Sequence, residues 1–307
     1  MKRRLLLALI CASASSAFAG ELLPDVAPSQ ASQHIVVNIP QQRLFFYEHN
    51  TLVKVYPIVV GKNATRTPMG TYKIGATHRN PTWHVPQSIQ KEMRAKGQTP
   101  IQTIAPGPNN PLGPVFIRFG DPKLGLGIHG TNAPSVVPGV RSHGCVRMKS
   151  PEALEVAAKI ERGADVSVIY QMASLNQDAE GKLWLAAYKD PYGQKNLDQA
   201  KLLATIQAWA TETGKPVNQA LVTKILANQS GLDNCISCLK NVGKNSVSGD
   251  LSPLNWTDGL VTRPPVVAPA VIDAAPSEAE TPSNADPDAD PADQEAQEAQ
   301  EGVAALL

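Results

Sequence analysis

His34-Ile35-Val36-Val37-Asn38-Ile39, then Arg43-Leu44-Phe45-Phe46-Tyr47-Glu48, then the run from Thr51 to Gly61 (TLVKVYPIVVG) decide the fold. These runs are rich in β-branched and aromatic side chains, and Pro40-Gln41-Gln42 and His49-Asn50 separate them. That is the pattern of an antiparallel meander. A further strand, GTYKIGAT over 70–77, follows the turn Thr67-Pro68-Met69-Gly70. Strand signals resume at VFIRF (115–119) and LGLGIHG (124–130), and ADVSVIY (164–170) reads as a closing strand. Ahead of it, Ser150-Pro151-Glu152 opens a helix with a capping residue, a first-position proline and an acid in the first turn. This helix is expected to run to Arg162 and stop at Gly163. The expected class is β-rich: mixed β with few helices.

The ends have different characters. Lys2-Arg3-Arg4, the apolar run Leu5 to Ile10 and Ala17-Phe18-Ala19 before Gly20 read as a secretory signal peptide over residues 1–19. The apolar run is too short to span a bilayer, so the chain is not read as membrane-spanning. Everything after Arg263 contains ten acids and no base. That stretch, rich in Ala, Pro, Asp, Glu and Gln, is expected to be a disordered tail over 261–307. The formal net charge of +1 argues against nucleic acid as a partner, yet it is a cancellation. Residues 20–263 hold 25 Lys+Arg against 17 Asp+Glu, a net of +8. The body is basic.

Residues 21–32 read as a loose leader. Residues 80–114 carry seven prolines and a short helical stretch, Ser88 to Lys96. A loop-rich insertion of that length inside a compact domain is more often functional than accidental. It is expected to form a wall or lid, the alternative being an excursion that packs on itself. Residues 171–260 are expected to form a small α/β appendage on the domain at 33–170. It holds a short strand around LWLAAY and helical patterns near 198–213 and 218–228.

Three cysteines survive removal of the leader: Cys145, Cys235 and Cys238. If the closely spaced Cys235 and Cys238 pair, Cys145 is left unpaired, and an odd cysteine in an exported chain is a candidate nucleophile. It lies in Ser142-His143-Gly144-Cys145-Val146-Arg147, where basic neighbours are expected to favour the thiolate. His129 and His143 are the candidate bases. All six histidines precede Cys145, which excludes plans that need a histidine after the cysteine. No acid lies between Asp121 and Glu152, so a dyad whose histidine is oriented by a backbone carbonyl fits better than a zinc site on His129, His143 and Cys145. No cofactor and no metal is expected.

His129-Gly130-Thr131-Asn132 followed by Ser142-His143-Gly144-Cys145-Val146-Arg147-Met148 resembles the signature of the YkuD-type L,D-transpeptidases. Thr67-Pro68-Met69-Gly70-Thr71-Tyr72 and the stretch from Pro106 to Gly113 resemble the same family. The likeness is strongest to its envelope, ErfK-like members, which include lipoprotein-attaching enzymes. It covers roughly residues 33–170 and weakens beyond, to about 235. The resemblance implies a YkuD-like β-sandwich catalytic domain and a cysteine-dependent peptidoglycan acyltransferase. Cys145 would attack the diaminopimelate carbonyl of a tetrapeptide stem and release D-alanine. The thioester would pass to an amine of another stem or to a lysine of an outer-membrane lipoprotein, or to water in a hydrolase.

The same resemblance implies His129 as general base and then acid. Ser142, His143, Gly144 and Arg147 would be the substrate-binding residues. The backbone N–H groups of Gly144 and Cys145 are the candidate oxyanion donors. Arg147 stands where many members carry asparagine, and reads either as a clamp for a stem carboxylate or as a brace for the loop. The expected protein is a periplasmic monomer whose basic body suits the carboxylates of peptidoglycan stems. Two competing readings are a sortase- or protease-like cysteine enzyme and a non-catalytic wall-binding module.

Overall fold

The computed structural model describes residues 21–27, 29–238, 247 and 249–257. The leader assigned to 1–19 and the tail assigned to 261–307 lie outside them. Strands β1 (Gln33–Asn38), β2 (Arg43–Glu48) and β3 (Thr51–Pro57) form the expected meander. The single run expected over 51–61 divides at Ile58, because β4 (Val59–Gly61) leaves the meander for the opposite end of the sheet.

The long strand β5 (Gly70–Arg79) joins the two ends. An insertion follows it, made of β6 (Trp83–His84), α1 (Gln87–Ala95) and β7 (Thr103–Ile104). Then come β8 (Val115–Phe119), β9 (Gly127–His129), β10 (Gly139–Ser142), β11 (Val146–Arg147), α2 (Ser150–Lys159) and β12 (Asp165–Ile169). Residues 70–73 of β5 pair with β12, and residues beyond a register shift after Ile74 pair with β8. One ten-stranded sheet results, in the order β10-β4-β11-β9-β8-β5-β12-β1-β2-β3. It curls at β5, so Ile35, Val37, Phe46 and Tyr56 of one end share a core with Ile117, Phe119, Ile128 and Val146 of the other. Ala153 and Val156 of α2 close that core.

Helix α2 starts differently from expectation. Lys149 occupies its N-cap, and Ser150 is not free to cap because its hydroxyl donates to Thr131 O at 2.9 Å and accepts from Thr131 N at 3.1 Å. Ser150 thereby braces the chain just after His129. The helix ends at Lys159, not Arg162.

Beyond residue 170, four strands rather than one form a second sheet, in the order β15-β14-β13-β16. They are β13 (Ala173–Gln177), β14 (Leu183–Ala187), β15 (Asn234–Cys235) and β16 (Ser252–Pro253). Helix α3 (Gln199–Thr213) is capped by Asp198, which accepts from Lys201 N. Helix α4 (Gln219–Asn228) is capped by Asn218, which accepts from Leu221 N. Leu202, Ile206, Val222 and Ile225 pack with Leu183 and Leu185 in a separate core. Cys235 and Cys238 are joined by a disulfide, and Cys145 is the free cysteine among the described residues.

The segment after the expected cleavage point is pinned, not loose. Leu22 is fully buried with Trp184, Ala186 and Tyr188, and Leu23 packs on Val36 and Phe45. Leu23 N donates to Asn176 Oδ1 at 2.8 Å, while Asn176 Nδ2 donates to Leu23 O at 2.9 Å. Asn176→Ala strands both buried backbone groups of Leu23. It is expected to destabilise the chain by about 1–3 kcal/mol, read from the urea midpoint, with little change in the slope.

Candidate active site

His129 ends β9, a strand held between β8 and β11. In the parallel ladder with β11, Ile128 faces Val146 and His129 faces Arg147. The same ring stacks on Phe116 of β8, with centroids 6.0 Å apart. Gly127 is required there on steric grounds, since a Cβ would stand 2.2 Å from Phe116 Cζ. His129 is 4% exposed. Its Nδ1 donates to the Gly130 carbonyl at 2.6 Å, and the Leu112 backbone also hydrogen-bonds the imidazole, so the backbone orients the ring.

The loop between β10 and β11 carries Cys145. Gly144 there has φ +114°, a backbone that side-chain-bearing residues rarely adopt. The Ser142 hydroxyl donates to Cys145 O at 2.5 Å and accepts from Gly144 N at 3.3 Å. That hydroxyl is committed inside the loop, where Ser142 braces the turn. The Cys145 N–H has no hydrogen-bond partner among the described residues, and Cys145 Sγ lies 3.5 Å from Gly125 O.

A groove of about 310 Å³ joins these parts. Its walls bring together His129, Ser142, His143, Cys145 and Arg147, whereas Gly144 is buried and does not line it. Trp83, Pro86, Ile89 and Leu112, from the insertion and its return, line the same groove as Cys145. The insertion both packs on itself, through Trp83, Val85, Ile89, Met93 and Ile104, and walls the groove. One polar cluster fastens it to the nucleophile loop. His143 Nε2 lies 3.1 Å from Glu92 Oε1 of α1 and 3.2 Å from Lys62 Nζ, which is itself 3.3 Å from Glu92. His143 is therefore turned to the insertion while His129 Nδ1 is turned to Gly130, and the two histidines and Cys145 do not form a metal-ligand set.

The electrostatics correct the expectation of a resting thiolate. Burial pushes the Cys145 thiol above its ordinary value, outweighing the Gly127 backbone hydrogen bond and the charges of Arg147 and Arg118. Burial, aided by the Arg147 charge, lowers His129 to about 3. Burial also lowers His143, against the pull of Glu92. The dyad therefore rests as neutral thiol and neutral imidazole at neutral pH.

The L,D-transpeptidase catalytic domain model (YkuD) matches residues 32–169. A putative L,D-transpeptidase YkuD of Bacillus licheniformis is 32% identical over 145 residues, covering 47% of this chain and 68% of that protein. The chain belongs to the YkuD-type L,D-transpeptidase family. Among ErfK-like relatives, the probable L,D-transpeptidase YbiS of Escherichia coli is 29% identical over 218 residues, 67% of this chain and 69% of its own. A solved L,D-transpeptidase from Mycobacterium smegmatis is 17% identical, with a TM-score of 0.37 over 45% of this chain. The present chain spans 59% of that solved chain.

Reading the sequence misses Lys62 and Glu92, which lie 81 and 51 residues from His143 and carry no local signal. Two measurements follow from the charge states. Alkylation of Cys145 by iodoacetamide, followed by peptide mass mapping, tracks the thiolate fraction and is expected to inflect above pH 9. Arg147→Gln is expected to move that inflection higher. Separately, His129 stays neutral in the fold while an unfolded histidine gains a proton near pH 6.5. The unfolded state thus binds more protons between about pH 6.5 and 3, and stability rises with pH through that window. Acidification is expected to lower stability by up to about 1.4 kcal/mol per pH unit there, a slope that His129→Gln flattens in urea titrations at stepped pH.

Proposed function

We propose that the chain is an exported peptidoglycan L,D-transpeptidase that works in the periplasm as a monomer, with Cys145 as nucleophile. The observation that carries the reading is the free, half-buried thiol on a groove that His129 and Arg147 also line, within a domain of this family. His129 Nε2 takes the Cys145 proton as Sγ attacks the diaminopimelate carbonyl of a tetrapeptide stem. Because both groups rest neutral, the proton leaves as the bond forms, and Arg147 meets the sulfur's developing charge. The carbonyl oxygen becomes an oxyanion beside the uncommitted Cys145 N–H, while the Gly144 N–H is held by the Ser142 hydroxyl. Collapse breaks the peptide bond, His129 returns the proton to the departing D-alanine amine, and a thioester remains. An acceptor amine, of a second stem or of a lipoprotein lysine, then attacks the thioester, gives its proton to His129 and restores the thiol. His143 shapes the groove wall beside the thiol through its contacts with Glu92 and Lys62.

Incubation with a carbapenem is expected to give a covalent adduct that maps to Cys145 by mass spectrometry, and Cys145→Ala is expected to abolish it. With a tetrapeptide stem, D-alanine release is expected from the unaltered protein. His129→Ala is expected to slow it by about a hundred- to ten-thousandfold. Folded, reduced protein that neither forms the adduct nor releases D-alanine would overturn the assignment. Cleavage of ordinary L-peptides without D-alanine release would favour a protease-like enzyme instead.

A further inference from the structure

The groove's charge is one-sided. Its lining includes Arg66, Lys91 and Arg147 and no aspartate or glutamate. Arg147 is buried against the nucleophile, but Arg66 and Lys91 are exposed side chains at the groove's edge. They come from different elements, Arg66 from the loop between β4 and β5 and Lys91 from α1.

Arg66 is aimed before any ligand arrives. Its Nε and Nη2 donate to Asn63 Oδ1 at 2.9 and 2.7 Å, and Nη2 also donates to Tyr192 O at 3.1 Å. The guanidinium rests over the Tyr192 ring, 5.3 Å from its centroid. Those partners are neutral, and Nη1 makes no hydrogen bond among the described residues, so the cation is oriented without being neutralised. Lys91 Nζ has no ion-pair or hydrogen-bond partner among the described residues. The adjacent carboxylate, Glu92, is committed to His143 and Lys62. Both cations line the same groove as Cys145. The Arg66 carbonyl would stand 3.5 Å from a Cβ at Gly144, and Lys91 directly precedes the residue that holds His143.

We infer that Arg66 and Lys91 form a carboxylate-recognition pair that selects stems whose carboxylates next to the reacting carbonyl are free acids. The inference rests on the proposed function for the identity of the substrate. Its physical basis is separate: two cations on a shared groove with no acid in its walls favour an anionic ligand. A neutral amide in place of the carboxylate loses that attraction, so amidated stems are discriminated against.

The test compares one tetrapeptide stem carrying free carboxylates with the same stem amidated at its side carboxylates, using the full mature chain. Amidation is expected to raise KM about tenfold with kcat little changed. Arg66→Gln and Lys91→Gln are each expected to raise KM for the free acid about three- to fivefold and to leave the amidated stem unaffected within about twofold. Lys91→Arg is expected to retain the preference. Equal KM values for the two stems in the unaltered protein would overturn the inference, as would a loss in the variants that falls equally on both. If the unaltered protein releases no D-alanine, the proposed function fails, and calorimetric binding of both stems to Cys145→Ala protein decides the recognition pair alone. A free-acid preference that Lys91→Gln removes supports it, and no preference overturns it.

Discussion

The site depends on one strand contact, the parallel register between β9 and β11 that sets His129 beside Arg147. Burial of the imidazole, and then the guanidinium charge beside it, makes the protonated form costly, which keeps His129 neutral. The same guanidinium attracts negative charge on Cys145, two residues earlier in the chain. The groove walls contain no acid that would compete for it. A one-residue slip of β11 would replace Arg147 with an apolar side chain opposite His129 and turn the charge to the other face. Gly127 and Phe116 guard that register from the other side, because only a residue without a Cβ lets the Phe116 ring lie across β9 next to the imidazole.

A neutral thiol on the groove that a neutral imidazole also lines has a chemical consequence. Thiolates, not thiols, react with oxidants and disulfides, and Cys145 is the free cysteine among the described residues. Burial that raises the thiol keeps the thiolate scarce. The cost is a slower intrinsic nucleophile. Arg147 and the Gly127 backbone N–H offset part of it at the moment the sulfur becomes charged.

Much of this was legible in the chain, and the exceptions share a cause. The runs HIVVNI and RLFFYE announced β1 and β2 because their apolar and β-branched content matches a buried, pleated surface. Strand β13, Ala-Ser-Leu-Asn-Gln, carries no such signal and is nonetheless buried, because Asn176 holds the Leu23 backbone and Ser174 accepts from Tyr188. Ser150 has every local feature of a helix cap, yet a long-range bond to Thr131 claims its hydroxyl. Cys145 and His129 were readable as candidates because the motifs around them are short and local. Glu92 and Lys62 were not, since their roles exist only after the insertion has folded back on the loop.

The appendage and the insertion act on the groove from opposite directions, and the loop between β4 and β5 is where both meet the nucleophile. Lys62 N and Thr65 Oγ1 each donate to Ser142 O at 3.0 Å, which ties that loop to the strand leading into Cys145. From the appendage side, Tyr192 OH donates to Gly61 O at 2.9 Å and accepts from Thr67 N at 3.0 Å, gripping both ends of the same loop. From the insertion side, Glu92 reaches Lys62 and His143. Removing either arm would leave His129 and Arg147 in place on β9 and β11 but free the wall that carries Thr65 and Arg66. The pairing of His129 with Arg147 is thus a property of the sheet, whereas much of the groove's wall belongs to segments outside it. Changes in the insertion or in the stretch around Tyr192 can therefore reshape that wall without disturbing the register of β9 and β11.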